Sequence, residues 1–220
     1  MEIIDCIQGQ PEWYRARMGI PTASEFSTVM RTKGKADDGS SKERRTYMFK
    51  LAGEILTGDP MENYTNAHLE RGKVMEEEAR ELYSFLNEVE PQRVGFIRSG
   101  NKGCSPDSLI GDNGMIEIKT AMPQILIDVL LKDEFVSDHK AQCQGGLWIA
   151  EREWIDLMVY WPRLPPFIKR AYRDDDYIKK LSTAVDRFND ELYQLVHRLQ
   201  NWTSTDDDRL KLLQKSVAAS

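Results

Sequence analysis

The chain has 220 residues, 40% hydrophobic and 30% charged, with a net charge of −6. That length fits one large domain with a real core, or one domain and an appendage, and the balance is that of an ordinary soluble globular protein. No apolar run approaches the ~18 residues of a membrane span, and three widely spaced cysteines (Cys6, Cys104, Cys143) without a CxxC pair argue against a disulfide framework or zinc site and for a reducing cytosol.

The opening "MEIIDCIQGQ" has no basic segment and no long apolar core, so no signal peptide is expected. "PTASEFSTVM" opens a helix, with Thr22 as N-cap and Glu25 three residues on in a capping box. Between Arg31 and Lys50 stand seven Lys/Arg and three Asp/Glu, a local excess of +4 against an acidic background. A phosphate-binding face needs only such a patch, although a solvated loop gives the same count. "RTKGKADDGSSKERR" reads as a polar loop. "RRTYMFKLAGEILTG" reads as a helix ending at Gly58. "NAHLERGKVMEEEARELYSFLN" is a longer helix whose apolar side runs through Leu69, Val74, Met75, Ala79, Leu82, Phe85 and Leu86.

Strands follow. "RVGFIR" is one, and "CSPDSLIGDNGMIEIKT" holds two β-runs around Asp112-Asn113-Gly114. "SDHKAQCQGGLWIAE" is a helix in which Gly145-Gly146 leaves room for another element to approach. "EWIDLMVYW" and "FIKRAY" are strands joined across Pro162, Pro165 and Pro166. "DDDYIKKLSTAVDRFNDELYQLVHRL" is an amphipathic helix with acid at its N-terminus, where the helix dipole favours it. Residues 203–220 read as a tail or short helix. The whole is α/β (α+β): a single domain over 1–202 with a central mixed β-sheet flanked by helices.

Chemistry concentrates in the hairpin. Side chains alternate along a strand, so Glu117 and Lys119 share one face while Ile116 and Ile118 take the other. With a three-residue Asp112-Asn113-Gly114 loop, Gly111 pairs with Met115, Leu109 with Glu117, and Asp107 with Lys119, which puts Asp107 on the same face. Two carboxylates and an ammonium there suit Mg²⁺, a hard ion that keeps positions for water and phosphate oxygens. A surface ion pair is the plain alternative, and an E-x-K triplet arises by chance about once in a chain of this size. Pro106-Asp107 at hairpin spacing tips the balance to the metal.

These residues resemble a known family. Ser105-Pro106-Asp107 with Glu117-Ile118-Lys119 is similar to the PD-(D/E)xK nuclease signature. "EWYRARMGIPTASEF", "RGKVMEEEAR" and "KAQCQGGLWI" resemble, in order, motifs of the phage lambda exonuclease and YqaJ-type viral recombinase family. The resemblance spans about Trp13 to Trp161, and four ordered motifs are specific where each alone is weak. It implies a PD-(D/E)xK restriction-endonuclease-like core and a Mg²⁺-dependent (or Mn²⁺-dependent) 5′-to-3′ double-strand DNA exonuclease with two ions per site. The products would be 5′-mononucleotides and a 3′ single-stranded overhang, handed to a single-strand annealing protein. A homotrimeric ring, no membrane, and the cytoplasm of a bacterial host carrying a phage or prophage are also implied.

By the same resemblance Asp107, Glu117 and the Ile118 backbone carbonyl would hold metal, and Lys119 would be the catalytic lysine. Glu76 would support a second ion or its water, although by itself it reads as part of a solvated acidic face. Gln142 would sit near the water and metals. Arg17, Thr22 and Ser24 would bind a 5′-terminal phosphate, which free helix amides also favour. Lys33 and Lys35 flank Gly34, which aligns near the family's further phosphate-binding arginine. Trp13 could pack in the core or guard the DNA channel, with core as the default, and Cys143 is expected as a packing residue. A PD-(D/E)xK endonuclease and a non-catalytic DNA-binding or assembly subunit are the rival readings.

Overall fold

The computed structural model describes residues 1–31, 41–61 and 67–202. Lys33, Gly34, Lys35 and the tail 203–220 lie outside them. The first half runs β1 (Glu2–Ile4), α1 (Pro11–Arg17), a short 3-10 helix (Ala23–Glu25) leading into α2 (Phe26–Met30), α3 (Lys42–Thr57) and α4 (Ala67–Asn87). Then come β2 (Phe96–Ser99), β3 (Lys102–Cys104), β4 (Ser108–Ile110), β5 (Gly114–Thr120) and α5 (Pro123–Lys132). A 3-10 turn (Ser137–His139), α6 (Lys140–Ala150), β6 (Trp154–Tyr160), β7 (Phe167–Tyr172) and α7 (Asp175–Gln200) complete the order.

Two sheets form. β1, β2 and β3 make an antiparallel sheet. β4-β5-β6-β7 is mixed: β5 pairs antiparallel with β4 and parallel with β6, which pairs antiparallel with β7. A parallel neighbour needs a long crossover, and α5 with α6 supplies it. Helices cover both faces. Met115, Leu109, Ile155 and Leu157 face the core built with α2, α3, α6 and α7. Ile116, Ile118 and Met158 face Ala79 and Tyr83 of α4. β5 is therefore buried on both sides, and only its C-terminal end, Lys119 and Thr120, opens outward.

Three expectations change. The hairpin pairs Ser108 with Ile116, Leu109 with Met115 and Ile110 with Gly114. Its loop is Gly111-Asp112-Asn113, one residue earlier than read. Gly111 takes the left-handed conformation (φ 51°), while Gly114 is in the strand, where a Cβ would meet the Trp154 ring at 2.1 Å. The register moves by two residues, so every side chain keeps its face. Second, no capping box forms: Thr22 makes no side-chain cap bond, and the segment it starts is a 3-10 turn followed by a five-residue helix. Third, α4 buries Met75, Ala79 and Tyr83, while Val74, Phe85 and Leu86 stay exposed. The Tyr83 hydroxyl donates to the buried Asp156 carboxylate at 2.7 Å, which turns that stripe inward.

Candidate active site

The site lies where β4 ends and β5 continues. Leu109 exchanges both backbone hydrogen bonds with Gln92, so its N–H and C=O point away from β5. Ser108 and Ile110 then face β5, as do Gly114, Ile116 and Ile118 in return. Continuing the Ser108–Ile116 pair by two residues sets Pro106 opposite Ile118. Proline has no N–H to give, so the Ile118 carbonyl on that edge has no ladder donor. The Ile118 amide is served instead by the next residue: it donates to Asp107 Oδ2 at 2.5 Å. The Pro-Asp order thus stands just before β4 begins, caps one β5 backbone group with a carboxylate and leaves the other without a ladder donor.

Glu117 is buried on the face toward α6. Its Oε1 accepts from Lys119 Nζ at 2.8 Å and from Gln142 Nε2 at 2.5 Å. Gln144, two residues on, turns away: it donates to the Tyr172 carbonyl and accepts from the Asp174 amide, both at 2.8 Å. The α6 helix can seat Gln142 this close because Gly145 lies against Phe26 and Gly146 against Met115. Cys143 is fully buried, and desolvation pushes its thiol up, as suits a packing residue.

Charge is crowded here. Burial raises the Asp107 carboxyl well above the usual range, and the Glu117 and Glu76 carboxylates raise it further. Burial pulls Lys119 down, yet Glu117 and Asp107 outweigh it and the net direction is up, so the lysine is held as a cation. Among the described residues no three acidic, histidine or cysteine side chains converge on one point. The candidate donors are two carboxylates and one backbone carbonyl, all hard oxygens, with the Lys119 ammonium beside them. That fits a divalent cation that keeps water in its other positions.

Glu76 reaches the site from α4, on the opposite side of the sheet, and its Oε1 is held by Arg80 Nη2 at 2.6 Å. Arg80 also pairs with Glu77 and donates from Nε to Ser108 Oγ at 3.1 Å.

Arg17, Thr22 and Ser24 line the same cavity, of about 170 Å³, as Asp107, Glu117 and Gln142. Arg17 Nη2 donates to Thr22 Oγ1 at 3.2 Å, and Thr22 and Ser24 hydroxyls meet at 3.2 Å. Trp13 is not core. It walls this cavity, donates from Nε1 to Ser105 Oγ at 2.8 Å and carries the Arg17 guanidinium 4.1 Å above its ring. The spacing from Trp13 to Arg17, four residues on one helix, is the signal that could have found this pair. Gln8, Arg80 and Ser108 were not singled out from sequence. Gln8 Nε2 donates to the Val94 and Pro106 carbonyls at 2.9 and 3.1 Å, which fixes the segment before Asp107, and only the fold reveals that.

A family model for the YqaJ-like viral recombinase domain matches residues 12–153. The chain belongs to the YqaJ-like viral recombinase family. The match covers Trp13, every described candidate residue and the hairpin. Among solved structures, an alkaline exonuclease from Laribacter hongkongensis is similar at 31% identity and a TM-score of 0.77, covering 87% of this chain and 96% of that one. The same exonuclease in complex with dAMP matches at 32% identity with the same TM-score and coverage. A phage-related exonuclease from Haemophilus somnus 129PT, at 14% identity and a TM-score of 0.64, shares the fold over 82% of this chain and 96% of its own. The curated proteins give no significant match. This YqaJ-like chain therefore has the PD-(D/E)xK type of α/β fold expected from its motifs. Among its described residues no helix is long and apolar enough to cross a membrane.

Proposed function

We propose that this YqaJ-like protein is a Mg²⁺-dependent exonuclease that digests one strand of duplex DNA from its 5′ end. The observation that carries the reading is one cavity whose lining joins Arg17, Thr22 and Ser24 to Asp107, Glu117 and Gln142. An anion held by the first group would share that cavity with the oxygen donors of the second. The exonuclease activity named for the Laribacter relative, and its complex with a mononucleotide, support the same reaction class.

Asp107, Glu117 and the Ile118 carbonyl would hold Mg²⁺, with Mn²⁺ as a substitute, and Glu76 would serve a second ion. A divalent cation at such a site polarises the phosphodiester and lowers the pKa of a bound water. The chain's own groups do the rest. Arg17 offers a planar fork, and the Thr22 and Ser24 hydroxyls offer further bonds, to a 5′-terminal phosphate. The helical segment after Thr22 is short, so the side chains rather than a helix dipole carry this grip. Lys119, held as a cation, directs the attacking water and offsets the charge that grows on the phosphoryl oxygens. Gln142 fixes the orientation of Glu117. Water attacks phosphorus, the bond to the 3′ oxygen of the terminal nucleotide breaks, and that oxygen takes a proton. A 5′-mononucleotide leaves, and the shortened strand again carries a 5′ phosphate for the Arg17 pocket.

The uncut strand becomes a 3′ overhang, the substrate of a single-strand annealing protein. The family resemblance supports that partner, a homotrimeric ring around DNA, and the cytoplasm of a phage- or prophage-bearing bacterium. One experiment tests the reaction: linear duplex with a 5′ phosphate, the same duplex with a 5′ hydroxyl, and a covalently closed circle, each with Mg²⁺ and with EDTA. Mg²⁺-dependent loss of linear DNA alone, fastest with the phosphate, is expected. Cutting of the circle would make the protein an endonuclease, and no digestion would make it a DNA-binding subunit.

A further inference from the structure

Arg80 is a buried guanidinium with three partners on one α-helix and one strand. It holds Glu76 at 2.6 Å, pairs with Glu77, and donates to Ser108 Oγ at 3.1 Å. Ser108 is fully buried, and its hydroxyl donates to the Asp107 carbonyl at 2.6 Å. Arg80 therefore ties α4 to the residue beside Asp107, from the face of the sheet opposite Glu117. Glu76 remains partly open, with 35% of its side chain exposed. It is near enough to Asp107 to raise its carboxyl, yet it does not complete a three-acid cage.

We propose that Arg80 competes with a divalent cation for the Glu76 carboxylate, and so makes the protein's second cation site weaker than its first. This rests on the metal-dependent reading above. The first ion needs only Asp107, Glu117 and the Ile118 carbonyl, none of which Arg80 touches. Glu117 Oε1 is held by Lys119, a partly exposed single ammonium that can swing aside, whereas Arg80 is buried and tethered to Glu77 and Ser108 as well. The second needs Glu76, whose Oε1 is already taken by a charge-assisted bond. Recruiting Glu76 means sharing or breaking that bond, while the guanidinium itself repels an incoming cation. Arg80 is a positioning residue: it acts on the cation through Glu76. The same bond explains how three carboxylates are kept near one another before any cation arrives.

The test is Mn²⁺ binding, followed by electron paramagnetic resonance and by calorimetry on the metal-free full chain without DNA. Wild type should show a tight and a weak class of site. Glu76→Gln, which still accepts a bond from Arg80, should lose the weak class only. Arg80→Gln should tighten the weak class by about tenfold or more, the scale of a lost charge-assisted hydrogen bond, and leave the tight class unchanged. Far-UV circular dichroism checks folding. Arg80→Lys, which keeps the charge but not the fork, covers the case in which Arg80→Gln does not fold, and should shift the weak class in the same direction. A folded Arg80 variant with an unchanged or weakened second site overturns the proposal, as does a wild type in which Glu76→Gln changes nothing. Absence of both classes from wild type, or a tight class that survives Asp107→Ala, would instead overturn the metal-dependent reading.

Discussion

The Asp107 carboxylate takes the Ile118 amide hydrogen at 2.5 Å, where a strand partner would otherwise stand. One carboxylate oxygen is thereby fixed and the other is free for a cation. Asp107→Ala should abolish both divalent-cation binding and digestion, and calorimetry with a gel assay measures the two. Lys119→Ala should separate them, with cation binding kept and the rate reduced by about a hundred- to a thousandfold, the scale of a lost transition-state stabiliser. Near wild-type rates for either variant would remove the proposed site.

Glu76, Glu77 and Glu78 are consecutive on α4 but do not do the same work. Glu76 faces Arg80 and Asp107. Glu77 bridges Arg80 and Arg93, and Glu78 accepts from the Tyr160 hydroxyl at 3.4 Å. Glu76→Ala should be severely impaired in Mg²⁺-dependent digestion. Glu77→Ala and Glu78→Ala should retain most activity, because a partly exposed ion pair or a long hydrogen bond is worth only about 1 kcal/mol or less. Equal activities in all three would return Glu76 to the solvated surface.

Part of this site could be read from residues alone. Alternation on a strand put Asp107, Glu117 and Lys119 on one face, and that survived a register error because a two-residue shift preserves parity. The long amphipathic α7 and the strands β6 and β7 were readable for the same reason, since period and burial agree there. α4 was readable as a helix but not as a face. Val74 and Met75 are adjacent apolar residues about a hundred degrees apart on the helix, and the sheet side was chosen by Tyr83 reaching Asp156. Trp13 read as core because aromatic bulk usually is. Its contacts with Ser105, 92 residues away, and with the cavity exist only in the fold. α5 was not read at all: in "PQILIDVLLK" apolar residues dominate, and only Leu126 among them is buried.

Arg17 stacks on Trp13 and bonds Thr22, so its fork is oriented before any phosphate arrives. Duplex with a 5′ phosphate should be degraded faster than duplex with a 5′ hydroxyl. Arg17→Ala should lose about ten- to a hundredfold of that preference, the worth of a charged hydrogen bond, while slow Mg²⁺-dependent digestion persists. Arg17→Lys should fall between, since an ammonium keeps charge without the fork or the stack. Initial rates on the two substrates measure this. An unchanged preference in Arg17→Ala would move attention to Lys33 and Lys35.

α6, the helix that carries Gln142, packs through two adjacent glycines, Gly145 and Gly146. A Gly→Ala change inside a helix is ordinarily favourable by about 0.4–1 kcal/mol, because alanine loses less freedom on folding. At Gly145 the new Cβ would meet Phe26 Cδ2 at 2.4 Å and Cε2 at 2.7 Å. The Phe26 ring is fully buried and has nowhere to go, so overpacking of about 1–3 kcal/mol should win and Gly145→Ala should be destabilised. At Gly146 the new Cβ would meet only Met115 Cε, at 2.9 Å. That is the far end of a flexible side chain, which can turn aside at small cost. Gly146→Ala should therefore stay within about 1 kcal/mol of wild type, with either sign open to the helix gain. Urea denaturation midpoints of the two variants give the comparison. Equal midpoints would mean that α6 slides freely along Phe26, and Gln142 would then not be held on Glu117 by this packing.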